Sequence, residues 1–483
     1  MLFTSLAFAA FLPLALLAFA IAPARARWAV LLAASVVFYG WERPANLVYL
    51  GGVTLVVLGC AALMAHGRTP TARRAWLVVG LVAVVGSLAG LKFYDFAAGE
   101  LERLAGVVLP RLGLAAPAGY SFYAFSAVAL LVDLHTHRID PLPMHAGHAA
   151  LYLAWFPKIL AGPIERATGF LPLLRMGPAA DPERVKLGLQ LMLWGLVKKV
   201  LIADNLAPIV DKAFAIPAFA TPVDLLLAAY CFAFQIYCDF SGYTDIAIGA
   251  SLLFGLPLME NFRRPYLARS TAEFWASRWH ISLGRWFRDY LYLPLGGSRA
   301  GALRTYANLM LVFVASGLWH AGLGYGVGWT FLVWGAINGA YQWAGLATKP
   351  VWSRLGARWP AVAASAPWTL LRVLLTFHLI LVSWVFFRAK TLGDAATVFE
   401  RIGQAVPELP ALVARYPFGG EQVAALAMIA ALLVVEWFDE RRSIFERLAA
   451  APLALRWAVW YALLAALLLF GRWGQAEFIY MQF

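Results

Sequence analysis

The chain has 483 residues, 62% of them hydrophobic and only 13% charged, with a mean hydropathy of +0.72. So little polar surface excludes a soluble globular enzyme. The net charge of +13 is spread over short loops, which fits anionic lipid and a positive-inside bias rather than nucleic acid.

Apolar stretches of roughly 17 to 25 residues, each long enough to cross a hydrocarbon core as helix, recur from end to end. The expected fold is therefore an all-α polytopic membrane protein forming one domain over 1–483. The candidate spans are 3–22, 28–41, 45–65, 75–92, 118–134, 148–162, 186–203, 222–254, 303–320, 326–346, 367–387, 421–437 and 453–471. Some of these should be short, split or re-entrant, so about eleven to thirteen crossings are expected, with re-entrant or interfacial helices between them.

At the amino end no basic residue precedes the apolar core, and Arg25 and Arg27 follow it. This argues against a cleaved signal peptide and for an outward-facing amino end. The loop from His66 to Arg74 carries Arg68, Arg73 and Arg74 and should be cytoplasmic. His135, His137, His145 and His148 fall within fourteen residues. Imidazoles at such density invite a metal reading, but no cysteine or acidic ligand accompanies them, so a solvent-facing loop is expected and no metal.

The stretch 222–254 is too long for an ordinary crossing and holds C-D-F-S-G-Y-T-D in its middle. A break there would let the polar groups line a cavity. On an unbroken helix Asp239 and Asp245 would stand about 240° apart, on different faces. Residues 261–304 hold eight arginines against Glu273 and Asp289, and no part is apolar enough to span alone. Re-entrant or interfacial helices are expected there, with arginine heads at lipid phosphates or an anionic ligand. The loop 388–420 should form a surface helix. Cys60, Cys231 and Cys238 all sit in apolar surroundings, which suits buried thiols rather than disulfides.

Two histidines fit poorly with so apolar a chain. His320 closes the run N-L-M-L-V-F-V-A-S-G-L-W-H and is followed by four glycines in seven residues, which permit irregular backbone and close approach. A neutral histidine in a dry site can take a proton from a hydroxyl, as acyl transfer from a thioester to an alcohol requires. A plain hydrogen bond to a neighbouring helix would also explain it. His280 lies among Trp275, Trp279 and Trp286, with Arg278, Arg285, Arg288 and Asp289 nearby. Those arginines could hold phosphates or carboxylates, or simply anchor an interfacial helix. Asp133, Asp239 and Asp245 offer a third reading, the proton relay of a transporter, although no inverted pair of broken helices is visible. Neither a phosphate-binding G-x-x-x-x-G-K-[ST] nor a G-x-S-x-G elbow occurs.

The run E-F-W-A-S-R-W-H-I-S-L-G-R-W-F-R-D-Y-L-Y-L-P-L-G-G at 273–297, with G-L-W-H at 317–320, resembles the signature of membrane-bound O-acyltransferases of the alginate O-acetyltransferase type. G-Y-S-F-Y-A-F at 119–125, F-P-K-I-L-A-G-P-I-E-R at 156–166, D-F-S-G-Y-T-D-I-A-I-G at 239–249, N-F-R-R-P-Y at 261–266, W-V-F-F-R-A at 384–389 and F-I-Y-M-Q-F at 478–483 extend the resemblance along the chain. It implies a ring of helices around a funnel, with His320 as the essential histidine and His280 as its partner. Many relatives have glycine directly after the G-L-W-H histidine, whereas Ala321 stands here.

The resemblance also implies acetyl-CoA as the donor, entering from the cytoplasmic basic face, and a bacterial inner-membrane location. A periplasmic acetyltransferase- or esterase-like partner would pass acetyl to a polysaccharide: alginate or a related exopolysaccharide, or else cellulose or peptidoglycan. A scaffold that only recruits soluble acetyltransferases is the remaining alternative.

Overall fold

The computed structural model describes all residues except 68, 114–115, 140–144, 300, 322–327, 475–477 and 480–483. The described residues form helices and connecting turns, with no strand among them. Seven helices are long and apolar enough to cross a membrane: Asn46–His66, Pro70–Ala105, Pro222–Leu253, Ala302–His320, Ala366–Arg388, Gly420–Asp439 and Leu453–Phe470. Leu6–Ile21 and Tyr120–His135 are shorter apolar helices. All three cysteines are buried free thiols.

The chain gathers into two compact units, one of residues 1–195, 243–260 and 480–483, the other of 196–242 and 261–479. In the first, Phe8, Phe38 and Phe156 pack ring against ring, with Phe8 to Phe38 at 6.1 Å and Phe38 to Phe156 at 5.3 Å. The apolar stretch 148–162 is not one helix here but two, Ala146–Ala154 and Phe156–Ile159. Pro157 explains the break, because it has no N–H to return to the preceding turn and its ring crowds the carbonyl there. The freed N–H of Phe156 donates to Ser35 Oγ at 3.2 Å, and Trp155 Nε1 donates to Ser251 Oγ at 2.9 Å. Two of the motif segments meet beside this break: a Cβ on Gly119, whose φ is +74°, would lie 2.3 Å from the Ile159 carbonyl oxygen.

The expected break in 222–254 is absent: Pro222–Leu253 is one helix of 32 residues. At 1.5 Å per residue it is about 48 Å long. Of its most apolar window 83% is buried, against at most 39% for the other six, so protein rather than lipid surrounds it. In that setting its polar side chains find partners without unwinding the backbone. Asp239 pairs with Lys199 at 2.7 Å and its Oδ2 accepts from Ile479 N at 2.7 Å. Lys199 also pairs with Asp204 at 2.8 Å. It projects inward from a π-helical turn, Val197–Ala203, a widening that often marks functional positions.

Residues 261–292 form only short pieces: Thr271–Glu273, a π-turn at Phe274–Arg278, Ile281–Phe287 and a second π-turn at Arg288–Tyr292. The loop 388–420 carries the helix Leu392–Ala405, started by a capping box between Thr391 and Asp394, and the shorter Leu409–Arg415.

Candidate active site

His320 is the last residue of Ala302–His320 and is 3% exposed. Its placement depends on glycine. A Cβ on Gly317, one turn earlier, would lie 2.3 Å from the Phe331 carbonyl oxygen, and one on Gly335 would lie 2.4 Å from that of Phe313. The helices Ala302–His320 and Trp329–Arg358 therefore pack backbone to backbone, as small residues permit in membranes. Gly317→Ala should force the pair apart and cost about 1–3 kcal/mol, the usual range for overpacking. Because the displaced turn carries His320, any turnover that uses its ring should fall further than a thermal melt of the same sample would suggest. Unchanged turnover and melting would show that the close approach is not required.

The His320 Nδ1 lies 2.7 Å from the Ser316 carbonyl oxygen, which can only accept, so Nδ1 donates there, and in the neutral ring the lone pair stands on Nε2. Around the ring stand Trp319 at 4.7 Å, Trp334 at 5.2 Å and Phe387 at 5.5 Å. Behind them Trp334 stacks on Trp384 at 6.1 Å, while Trp275 meets Trp334 edge-on at 5.5 Å. Asn338 ties this wall together, accepting from Trp275 Nε1 at 3.0 Å and donating to the Trp334 carbonyl at 2.9 Å.

His280 is 2% exposed and has φ 43° and ψ 53°, a left-handed conformation uncommon outside glycine, asparagine, aspartate and histidine. Hydrogen bonds on both sides hold it there. Arg263 N donates to the Arg278 carbonyl at 2.8 Å and Ile281 N to the Asn261 carbonyl at 2.9 Å. Ser282 donates from both N and Oγ to Asn261 Oδ1, at 3.2 and 2.9 Å. Strain kept by its surroundings is common at functional sites. The imidazole packs on Phe240 at 4.8 Å, Phe262 at 6.3 Å and Trp319 at 6.0 Å. The indole of Trp319 thus touches both histidines, which share one aromatic compartment.

Two of the eight arginines in 261–304 serve a different end from the expected one. Arg264 pairs with Asp439 and Glu440, the latter at 2.8 Å. Arg278 pairs with Glu273 and Glu440, both at 2.7 Å. These two arginines lock the turn around His280 to the end of Gly420–Asp439 rather than facing a ligand. Burial alone would lift the Glu440 carboxyl, but the bonds from Arg278 and the charges of Arg278 and Arg264 hold it below the ordinary carboxylate range. Arg263, Arg269, Arg285, Arg288, Arg299 and Arg304 are exposed.

Other predicted groups belong to the first compact unit. His145 and His148 pack on Trp28 at 4.7 and 5.8 Å, whereas His135 and His137 line a separate cavity. Among the described residues no group of three or more His, Cys, Asp or Glu is arranged to hold a metal ion. Asp133 pairs with Arg138 at 3.2 Å. Of the glycine-rich run after His320, residues 322–327 lie outside the described residues, as do Arg68 and the final Y-M-Q-F. The sequence reading missed Phe240, Asn261, Trp319, Trp334, Asn338 and Phe387 as site residues. Phe240, Asn261, Trp319 and Phe387 sit inside motifs that carried the family resemblance, and that was the available signal.

A model of the membrane-bound O-acyltransferase family matches residues 118–387. The chain is 38% identical over 396 residues to the probable alginate O-acetylase AlgI of Azotobacter vinelandii, covering 80% of this chain and 74% of that one. It is 33% identical over 424 residues to the peptidoglycan O-acetyltransferase of Helicobacter pylori, covering 81% and 77%. A teichoic acid D-alanyltransferase of Bacillus subtilis is 24% identical over 286 residues, covering 56% and 68%.

Proposed function

The chain belongs to the membrane-bound O-acyltransferase family, and from that premise we propose that it is an O-acetyltransferase with His320 as general base and His280 as its partner. It is a multi-pass membrane protein, and its setting in this reading is the bacterial inner membrane. The observation that carries the reading is the meeting of two buried histidines at one indole: Trp319 touches both His280 and His320 in an aromatic-lined compartment.

Acetyl-CoA is the donor substrate, reaching the site from the cytoplasm. Nε2 takes the proton of an acceptor hydroxyl as its oxygen attacks the thioester carbonyl carbon. The tetrahedral intermediate collapses, the C–S bond breaks, and the thiolate leaves with the proton held by His320. His280 orients the donor or offsets the charge that develops on the carbonyl oxygen. The first acceptor is a seryl hydroxyl of a periplasmic partner, which passes acetyl to a polysaccharide; the name of the Azotobacter relative supports alginate or a related exopolysaccharide as that polymer. The Helicobacter relative supports a second acceptor, peptidoglycan. One membrane domain over 1–483 does this work, in keeping with a family match that includes parts of both compact units.

The transporter reading is weakened by the ion pairs that hold Asp133 and Asp239. Proteoliposomes supplied with labelled acetyl-CoA outside and a hydroxyl acceptor inside separate the two readings. Labelled ester on the acceptor is the expected result. Proton or sodium flux that needs Asp133, Asp239 or Asp245, with no ester formed, would overturn the proposal.

A further inference from the structure

In the first compact unit, a cavity of about 460 Å³ opens where Asn46–His66 ends and Pro70–Ala105 begins. Thr69, Arg73, Arg74, His135 and His137 line it. Two guanidinium groups and two imidazoles face one space, and no carboxylate is among the described lining residues. The two guanidinium charges repel one another, a bound anion would relieve that repulsion, and the imidazoles add hydrogen-bonding nitrogens.

The surrounding structure holds the cluster in place. Thr69 caps Pro70–Ala105 by accepting from Ala72 N at 3.1 Å, so the positive end of a 36-residue helix also faces the cavity. The turn carrying both histidines is fixed by Arg138 N and Ile139 N, which donate to the Asp133 carbonyl at 2.9 and 3.3 Å. His137 adopts φ 58° within that turn. Asp133 is 1% exposed and paired with Arg138, and Asp140 lies outside the described residues. Arg73 Nε and His135 Nδ1 are both buried without a protein hydrogen-bond partner. A guanidinium edge of this kind matches phosphate geometry.

We propose that this cavity binds the phosphate of an anionic phosphate ester. Its volume exceeds what a bare phosphate fills and leaves room for the group esterified to it. Asn46–His66 and Pro70–Ala105 are both long and apolar enough to span, so the loop joining them lies at the depth of lipid phosphates. The ester is therefore either an anionic lipid headgroup or a small soluble phosphate ester drawn from the same interface.

The test uses the full chain in nanodiscs of phosphatidylcholine, with thermal melting and native mass spectrometry as readouts. Phosphatidic acid doped into the disc is one probe, and glycerol 3-phosphate added at constant ionic strength is the other. Stabilisation by phosphatidic acid alone identifies the lipid source, and stabilisation by glycerol 3-phosphate identifies the soluble one. Either supports the site if Arg73→Gln/Arg74→Gln weakens the response at least about tenfold, the loss expected for charge-assisted hydrogen bonds. His135→Gln provides the same reading if the arginine pair fails to fold. Arg299→Gln, at an exposed position elsewhere, should respond as the wild type does. No stabilisation by either probe, or an equal loss in Arg299→Gln, would overturn the proposal.

Discussion

His320→Gln should retain the fold and lose about a hundred- to ten-thousand-fold in acetyl transfer, the range general-base catalysis supplies. The residue ends its helix, so the backbone upstream does not depend on its side chain. Its hydrogen bond to the Ser316 carbonyl is worth only about 1 kcal/mol net. The loss should therefore appear in kcat while KM for the acetyl donor stays near the wild-type value. His280 needs a different substitution, because alanine would remove the imidazole and also strain the left-handed backbone. His280→Asn avoids this, since asparagine tolerates that conformation. Its effect should be smaller than that of His320→Gln and should fall partly on KM for the donor. Steady-state transfer in lipid, with melts of the same preparations, checks both. A folded His320→Gln protein with full activity would exclude His320 as the base.

Removing the charge of Lys199 should be the most damaging single change to stability. Lys199 stands between Asp204 and Asp239, at 2.8 and 2.7 Å, and all three are buried. Lys199→Met would leave two carboxylates facing each other with no cation, and breaking a buried pair in this way costs about 3–5 kcal/mol. Asp239 also accepts from Ile479 N, so the same change should loosen residues 478–479. Phe478 packs on Phe240 at 5.7 Å, and Phe240 on His280 at 4.8 Å, so looseness there reaches the compartment. Adding Asp204→Asn and Asp239→Asn should recover much of the lost stability, since no unpaired charge then remains. Thermal melts of the single and triple variants test this. A Lys199→Met protein as stable as the wild type would show that the acids are neutral without it.

Local sequence gave the helical membrane architecture, because apolar run length alone decides what can cross a bilayer. It misjudged 222–254 because the partners that satisfy Asp239 are remote, at Lys199 and Ile479. Pro157 was available in the sequence, and its missing N–H was the sign that 148–162 would divide. In 261–304 the arginine count was plain, but apart from Glu273, which pairs with Arg278, the acids answering Arg264 and Arg278 lie more than a hundred residues away, at 439–440. The two histidines were legible as anomalies and through the family resemblance. Their junction at Trp319 was not, because Trp319 and His320 are neighbours in sequence and adjacent residues on a helix do not share a face. Phe240 and Phe387 could be read only as members of motifs, and the wall from Trp334 is a product of tertiary packing alone.

The indoles at this site also have an optical use. Trp319 adjoins both imidazoles, and Trp334 stacks on Trp384 with their planes 17° apart. Stacked indoles couple their excited states, and an imidazolium beside an indole quenches its emission. The protein therefore contains its own fluorophores beside the histidine proposed as base. Difference spectra against Trp334→Phe would isolate the contribution of that indole from the remaining tryptophans. Rearrangement of the compartment on donor binding can then be followed in real time by emission, with no dye attached.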